Sequence, residues 1–376
     1  MSRLVFCCIA ILALALTACS GATRATALAL GNAPSFLSGP PGFAISYISE
    51  RVPGARFMAF APNGDLLVSE TTEGNVVVIP HGAAPDARPT IFASNLPYPH
   101  GLAFYKGDLY VATWSGVLRY HYPSNDGTTL FSNMPQGGDH NRRALAIASD
   151  GTIYVSSGSD CNVCDESDAR FATVLRYAPG DGAASIYASG LRNASGLAFD
   201  ASGRLWAVVN QRDNIGPTQS VTDNLPPDEL DVLASGENFG WPQCYPDPAK
   251  ADRLPNPEYP SARCAGQTPA ALDFQAHSAP LGIAFYYASQ FPPGYRGNAF
   301  VAFHGSWNRS TPTGDKVVMV KFASGKPTGY SDFITGWMEN DGSYRGRPVG
   351  LAVGPDGSLY VSDDLLGCIY RVSYRM

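Results

Sequence analysis

Three of the six histidines in this chain, His100, His140 and His304, stand directly beside short apolar phrases. Arg192 with Asn193, Arg309, Arg345 and Arg347 occupy comparable flanking places, and Trp307 lies in the same short run as His304 and Arg309. These side chains can do definite chemistry. A neutral imidazole accepts a proton at working pH, and guanidinium forks hold planar oxyanions such as carboxylates in fixed orientations. Gathered in one place, the set would bind an anionic ligand and draw a proton from a group beside it. The residues are far apart in sequence, so the fold has to bring them together.

The apolar phrases supply that fold. Phe57-Met58-Ala59-Phe60 leads to Gly64-Asp65-Leu66-Leu67-Val68, Gly101-Leu102-Ala103-Phe104 to Gly107-Asp108-Leu109-Tyr110-Val111, and Leu145-Ala146-Ile147 to Gly151-Thr152-Ile153-Tyr154-Val155. The same grammar recurs at Gly196-Leu197-Ala198-Phe199, Gly282-Ile283-Ala284-Phe285 and Gly350-Leu351-Ala352-Val353, each followed by a Gly-centred turn and a second strand rich in β-branched and aromatic residues. That is hairpin grammar, and its repetition every ~40–50 residues marks a propeller. Third strands follow at Val76–Ile79, Val117–Tyr120, Val174–Tyr177, Val317–Val320 and Ile369–Val372. One sheet cannot bury both its faces alone, so neighbouring sheets must stack around a ring. The sequence therefore predicts an all-β, six-bladed β-propeller over residues 43–376. Phe43–Ile48 is expected to add an outer strand to the last blade, closing the circle and removing edges.

Before the propeller, residues 1–19 carry Arg3, an apolar run from Leu4 to Leu16, and Leu16-Thr17-Ala18-Cys19. This reads as a bacterial lipoprotein signal with lipid attachment at Cys19, followed by a tether over residues 20–42. The expected location is the periplasm, anchored to the outer membrane. Export permits disulfides. Cys161-Asn162-Val163-Cys164 lacks a second cysteine pair or nearby histidine for zinc, and lacks the following histidine of a haem attachment, so a short-loop disulfide is expected. Cys244 and Cys264 bracket a Pro-rich insertion and form a second expected pair, leaving Cys368 free and buried. A net charge of −6 argues against a nucleic-acid surface.

The ordered motifs Gly190-Leu191-Arg192-Asn193, Asn224-Leu225-Pro226-Pro227-Asp228-Glu229-Leu230, Asn238-Phe239-Gly240-Trp241-Pro242, His277-Ser278-Ala279-Pro280-Leu281-Gly282, His304-Gly305-Ser306-Trp307-Asn308-Arg309 and Gly346-Arg347-Pro348-Val349-Gly350 resemble the soluble pyrroloquinoline quinone (PQQ)-dependent sugar dehydrogenases, in particular the sorbosone dehydrogenase-like branch. The resemblance runs from about Phe43 to Tyr374. It implies that His140 is the general base, that Arg192 and Asn193 contact the quinone oxygens, and that Arg345 and Arg347 hold the cofactor's carboxylates, with Arg309 as a further basic contact. His100, His304 and Trp307 are implied in substrate binding. Calcium, which prefers hard oxygen ligands, is implied at main-chain carbonyls near Asp223 and Asn224, or at Gly216 and Pro217 if the stretch from Pro217 to Thr222 is an insertion. For Asp228 and Glu229 a direct role and simple loop and strand capping both stand. Ala194 replaces the family's usual proline, and the family's acidic partner of the base aligns near Ser159, with Asp160 adjacent.

The function so implied is oxidation of a sugar, sugar aldehyde or polyol, with electrons passed to an external acceptor because the chain has no haem motif. Two other classes share the fold. A calcium-dependent lactonase would gather acidic and Asn side chains at the channel, and a glycan- or protein-binding propeller would present a surface without a buried basic cluster.

Overall fold

A computed structural model describes residues 34–84, 86–249 and 252–375. The expected signal and Cys19 lie outside the described residues.

Strand β1 (Phe43–Ser49) opens the fold. The first blade follows as β2 (Ala55–Phe60), β3 (Leu66–Glu70), β4 (Asn75–Ile79) and β5 (Thr90–Ala93), and the second as β6 (Leu102–Tyr105), β7 (Asp108–Ala112), β8 (Gly116–His121) and β9 (Gly127–Ser132). The third is β10 (Leu145–Ile147), β11 (Ile153–Ser157), β12 (Thr173–Tyr177) and β13 (Ser185–Ser189). The fourth takes β14 (Ala194–Phe199), β15 (Leu205–Val209) and β16 (Glu229–Leu233), then a separate hairpin of β17 (Cys244–Asp247) and β18 (Asp252–Pro255), and closes with the two-residue β19 (Leu272–Asp273). The fifth is β20 (Pro280–Phe285), β21 (Ala299–Phe303), β22 (Lys316–Ala323) and β23 (Lys326–Ile334). The sixth joins β24 (Pro348–Val353), β25 (Leu359–Asp363) and β26 (Cys368–Tyr374) to β1.

Every blade is an antiparallel four-stranded sheet, and the strands β2, β6, β10, β14, β20 and β24 touch in succession, β24 returning to β2. The six-bladed propeller is thus the fold. The closing strand pairs Phe43 with Tyr374 and Ile45 with Val372. Phe43 then packs edge-on against Phe291 at 4.8 Å and Phe333 at 5.1 Å, which seals the junction with the fifth blade. The core is divided among the clefts between neighbouring sheets: Trp206, Val208, Ile283, Val301 and Val318 fill one, Tyr286, Phe300, Trp337, Val361 and Tyr370 another. The expected third strands all form. The third strand of the fourth blade, β16, was not among them because its run Glu-Leu-Asp-Val-Leu carries two buried carboxylates and does not read as an apolar strand.

The repeated glycine of the phrases has a packing reason. A Cβ on Gly196 would stand 1.9 Å from the Leu281 carbonyl oxygen, and one on Gly282 2.4 Å from that of Val349. The innermost strands approach so closely that only glycine fits. Both expected disulfides form, Cys161–Cys164 and Cys244–Cys264, and Cys368 is free and buried.

Candidate active site

The starts of the innermost strands converge on one mouth of the central channel. There Arg56 from the first blade, His100 before the second, His140 and Arg142 before the third, Asn193 and Asn210 from the fourth, and His304 after β21 line a cavity of about 170 Å³. Asp139 is the one carboxylate among the described lining residues, which also include Asn141, Ser195, Ala279 and Leu281. Serines fix two of these corners. Ser69, at the second strand of the first blade, accepts the Phe57 N–H at 3.0 Å and donates to the His100 carbonyl at 2.8 Å. Ser362 holds the same place in the sixth blade, accepting from Gly350 N–H at 2.8 Å and donating to the Arg56 carbonyl. Each serine therefore satisfies an inner strand where its register slips, and ties it to the next blade.

His140 is the best-defined base. Its Nδ1 lies 3.0 Å from the Ser159 carbonyl oxygen. A carbonyl only accepts, so Nδ1 carries the proton and Nε2 keeps its lone pair. Burial, and then the charge of Arg192, push the imidazole down to about 4, so it is neutral near pH 7. The Ser159 position, where an acidic side chain was aligned, thus supplies its main-chain oxygen instead.

His100 and His304 are neutral for related reasons. Burial, with Arg56 and Arg142 nearby, holds His100 well below its ordinary value. Thr71 Oγ1 donates to the Pro99 carbonyl at 2.7 Å and stands 3.2 Å from His100 Nδ1, which assigns the proton to that nitrogen. Burial lowers His304 to about 4 even though its Nε2 donates to Asp364 at 3.0 Å. Asp364 also pairs with Arg56 at 2.5 Å. Although burial works against it, the bonds from His304 and Arg56 hold the Asp364 carboxyl well below the usual carboxylate range. Arg56, pushed down to about 10 by burial, remains cationic.

Not every expected residue points into the cavity. Arg192 lies beside it, 4% exposed, with its guanidinium on the carbonyls of Asn162 and Gln211 and over the Trp241 ring at 5.6 Å. Asn193 donates to Asn210 Oδ1 at 3.1 Å, and Asn210 to the Pro280 carbonyl at 2.7 Å. Arg347 donates to the carbonyls of His304 and Gly305, both at 2.9 Å, and so braces the His304 loop. Arg345 is more than half exposed, paired with Glu339 and set over the Phe36 ring at 5.9 Å. Trp307 is 74% exposed and is not among the residues that line the cavity.

Of the expected calcium carbonyls, that of Asp223 is already engaged. Arg309 donates to the Asp223 carbonyl and, at 3.2 Å, to that of Ala276, while Asn224 Nδ2 donates to Ser220 at 3.1 Å. Asp223 and Asn224 follow the short helix α1 (Gln219–Thr222) in an exposed turn. Asp228 and Glu229 act as caps and struts: Asp228 accepts the N–H groups of Gln211 and Ala279, both at 2.9 Å, and Glu229 pairs with Arg253 at 2.7 Å.

Sequence reasoning missed Arg56, Arg142 and Asn210. Arg56 could have been found, because it precedes Phe57 as His100 precedes Gly101 in the aligned phrases. Asn210 had no such signal.

A family model described as TrAA12-like matches residues 37–375. A pyrroloquinoline quinone-dependent pyranose dehydrogenase from Coprinopsis cinerea is 32% identical over 226 residues, covering 49% of this chain and 30% of that enzyme. The structure of the PQQ domain of pyranose dehydrogenase from Coprinopsis cinerea, in its holo form, superposes with a TM-score of 0.77 at 22% identity, covering 91% of this chain and 98% of that one. The calcium structure of the Trichoderma reesei carbohydrate-active enzyme of family AA12 superposes with a TM-score of 0.76 at 24% identity, covering 92% and 99%.

Proposed function

The chain belongs to the TrAA12-like family, and on that premise we propose that it is a PQQ- and calcium-dependent dehydrogenase of sugars or of sugar-derived aldehydes and polyols, its substrates sorbosone- or aldose-like. The observation that carries this reading is His140: a neutral imidazole with its Nε2 lone pair left bare, at a cavity that Arg56 and Arg142 also line.

The donor set fits an anionic, planar quinone. Arg56 and Arg142 at the lining and Arg192 just behind it outnumber the lining carboxylate Asp139 and the Asp364 carboxylate that pairs with Arg56, and the neutral histidines add no competing charge. Arg56, Arg142, Asn193 and Asn210 would hold the cofactor, with Arg192 reinforcing the positive field from behind. When bound, PQQ supplies a two-electron acceptor for the hydride leaving the substrate carbon, and calcium a Lewis acid beside it. For calcium we favour the carbonyls of Gly216 and Pro217, because Arg309 already engages that of Asp223 and a cation beside a guanidinium is electrostatically disfavoured.

His140 Nε2 takes the proton of the substrate hydroxyl, while Ser159 keeps the ring in the tautomer that can do so. His100, with its Nε2 also bare, and His304 orient the sugar's other hydroxyls. Trp307, exposed three residues beyond His304, offers a stacking face to the ring. A calcium-dependent lactonase is less well served, since the described lining brings one carboxylate rather than a set of acidic ligands.

We carry export, lipid attachment at Cys19, an external electron acceptor and a tether as part of the same proposal, the expected tether to residue 42 being cut back to before Phe36, because Phe36 and Leu37 pack against the core and Ser38 pairs with Thr335. The test titrates purified, metal-depleted protein with PQQ and calcium, followed by dye reduction with aldoses and osones. Saturable calcium-dependent binding with sugar-driven reduction is expected. Absence of binding at micromolar PQQ overturns the reading.

A further inference from the structure

The loop between Cys161 and Cys164 holds Arg192 directly and reaches His140 through Ser159. Upstream of it, Ser159 is fully buried and uses every polar atom in one direction or the other. Its N–H bonds the Arg192 carbonyl at 2.7 Å, its carbonyl takes His140 Nδ1 at 3.0 Å, and its hydroxyl donates to the Cys161 carbonyl at 2.9 Å. Within the loop, Asn162 receives Arg192 twice, through its main-chain carbonyl at 3.2 Å from Nε and its Oδ1 at 3.0 Å from Nη2. The same side chain clamps the fourth-blade loop, with Oδ1 accepting the Asp213 N–H at 3.0 Å and Nδ2 donating to the Asp213 carbonyl at 3.1 Å. The disulfide joins the two ends of this turn.

We propose that the disulfide-closed Cys161–Cys164 loop is the positioning device of the site, with Asn162 the positioning residue that fixes the Arg192 guanidinium beside His140. A guanidinium on a long side chain has much rotamer freedom to lose, and two acceptors set on a cross-linked turn, acting with the Gln211 carbonyl at 2.7 Å, remove it before any ligand arrives. One loop of the third blade thereby sets the Arg192 cation of the fourth blade against the base. The inference rests on the dehydrogenase reading for its kinetic arm but has a second arm that does not.

The variants are Asn162→Leu, similar in size but without polar atoms; Asn162→Asp, which keeps an acceptor for Arg192; and the double variant Cys161→Ser/Cys164→Ser. The groups facing His140 are Arg192, Asp139 and Asp213. In the protein without added cofactor, NMR titration of the His140 imidazole should move up from about 4 in the Asn162→Leu protein, as Arg192 loses its Oδ1 acceptor and is left to shift about the Asn162 and Gln211 carbonyls. In the loaded enzyme kcat should fall ~10- to 100-fold, with KM for the sugar little changed. Asn162→Asp should recover most of kcat although its own charge raises the imidazole, and the double cysteine variant should follow Asn162→Leu. An unmoved His140 titration in Asn162→Leu overturns the proposal, whether kcat holds or falls together with thermal stability. A protein that binds no PQQ sinks the dehydrogenase reading instead, and the imidazole titration still decides the role of Asn162.

Discussion

At the scale of single residues, the site is built by lowering imidazole basicity. His140 is buried and lies near Arg192, so its protonated form is disfavoured on two counts, and the Ser159 carbonyl only partly offsets them. The consequence for pH runs in one direction. The neutral form is the active base, so kcat/KM should stay flat from neutrality down to about pH 5 and fall as His140 protonates near 4. A limb at the ordinary histidine value of ~6.5 in a pH–rate profile would remove the argument. The same group affects stability: its folded pKa lies below the unfolded one, so its contribution is complete above ~6.5 and is lost as pH falls toward 4. His140→Ala should abolish turnover, by at least ~100-fold, while calorimetry still finds PQQ binding, because Arg56, Arg142, Asn193 and Asn210 are untouched. Retained turnover would exclude His140 from the chemistry.

At the scale of elements, the geometry depends on how inner strands meet. The glycines at 196 and 282 let the backbones touch, and the serines at 69 and 362 take the N–H groups that register slips leave unpaired. Ser69 also holds the carbonyl of His100. Ser69→Ala should therefore cost about 1–3 kcal/mol, since it leaves the buried Phe57 N–H and His100 carbonyl without this partner. Urea denaturation would measure it, and an unchanged midpoint would show that water replaces the hydroxyl. These serines directly follow the valine that ends the repeated phrase, as Val68-Ser69 and Val361-Ser362. Their role was not legible there, because the partner carbonyl belongs to the next blade.

At the scale of the whole molecule, stability comes from closure. The described chain has no single central core; each cleft between sheets is filled by its two neighbours, and β1 completes the sixth sheet from the other end of the chain. Deleting residues 43–49 should abolish cooperative thermal unfolding, because the edge of β26 and the Phe43 socket at Phe291 and Phe333 would be exposed together. A cooperative melt within a few degrees of the full chain would refute the velcro role of β1. The sequence alone determined blade number, closure and both disulfides, because hairpin periodicity and cysteine context are local signals. It also placed His100, His140, Asn193 and His304 at one mouth, because equivalent loops of a ring must converge. Only the tertiary structure decided where the long side chains point. Arg192 turns to Asn162 and Gln211, Arg345 to Glu339, Arg347 to the His304 loop and Arg309 to the Asp223 carbonyl, while Arg56 enters the lining. A guanidinium reaches several ångströms from its Cα, so its direction follows from which buried carbonyls and carboxylates lie within that reach, and those come from other blades.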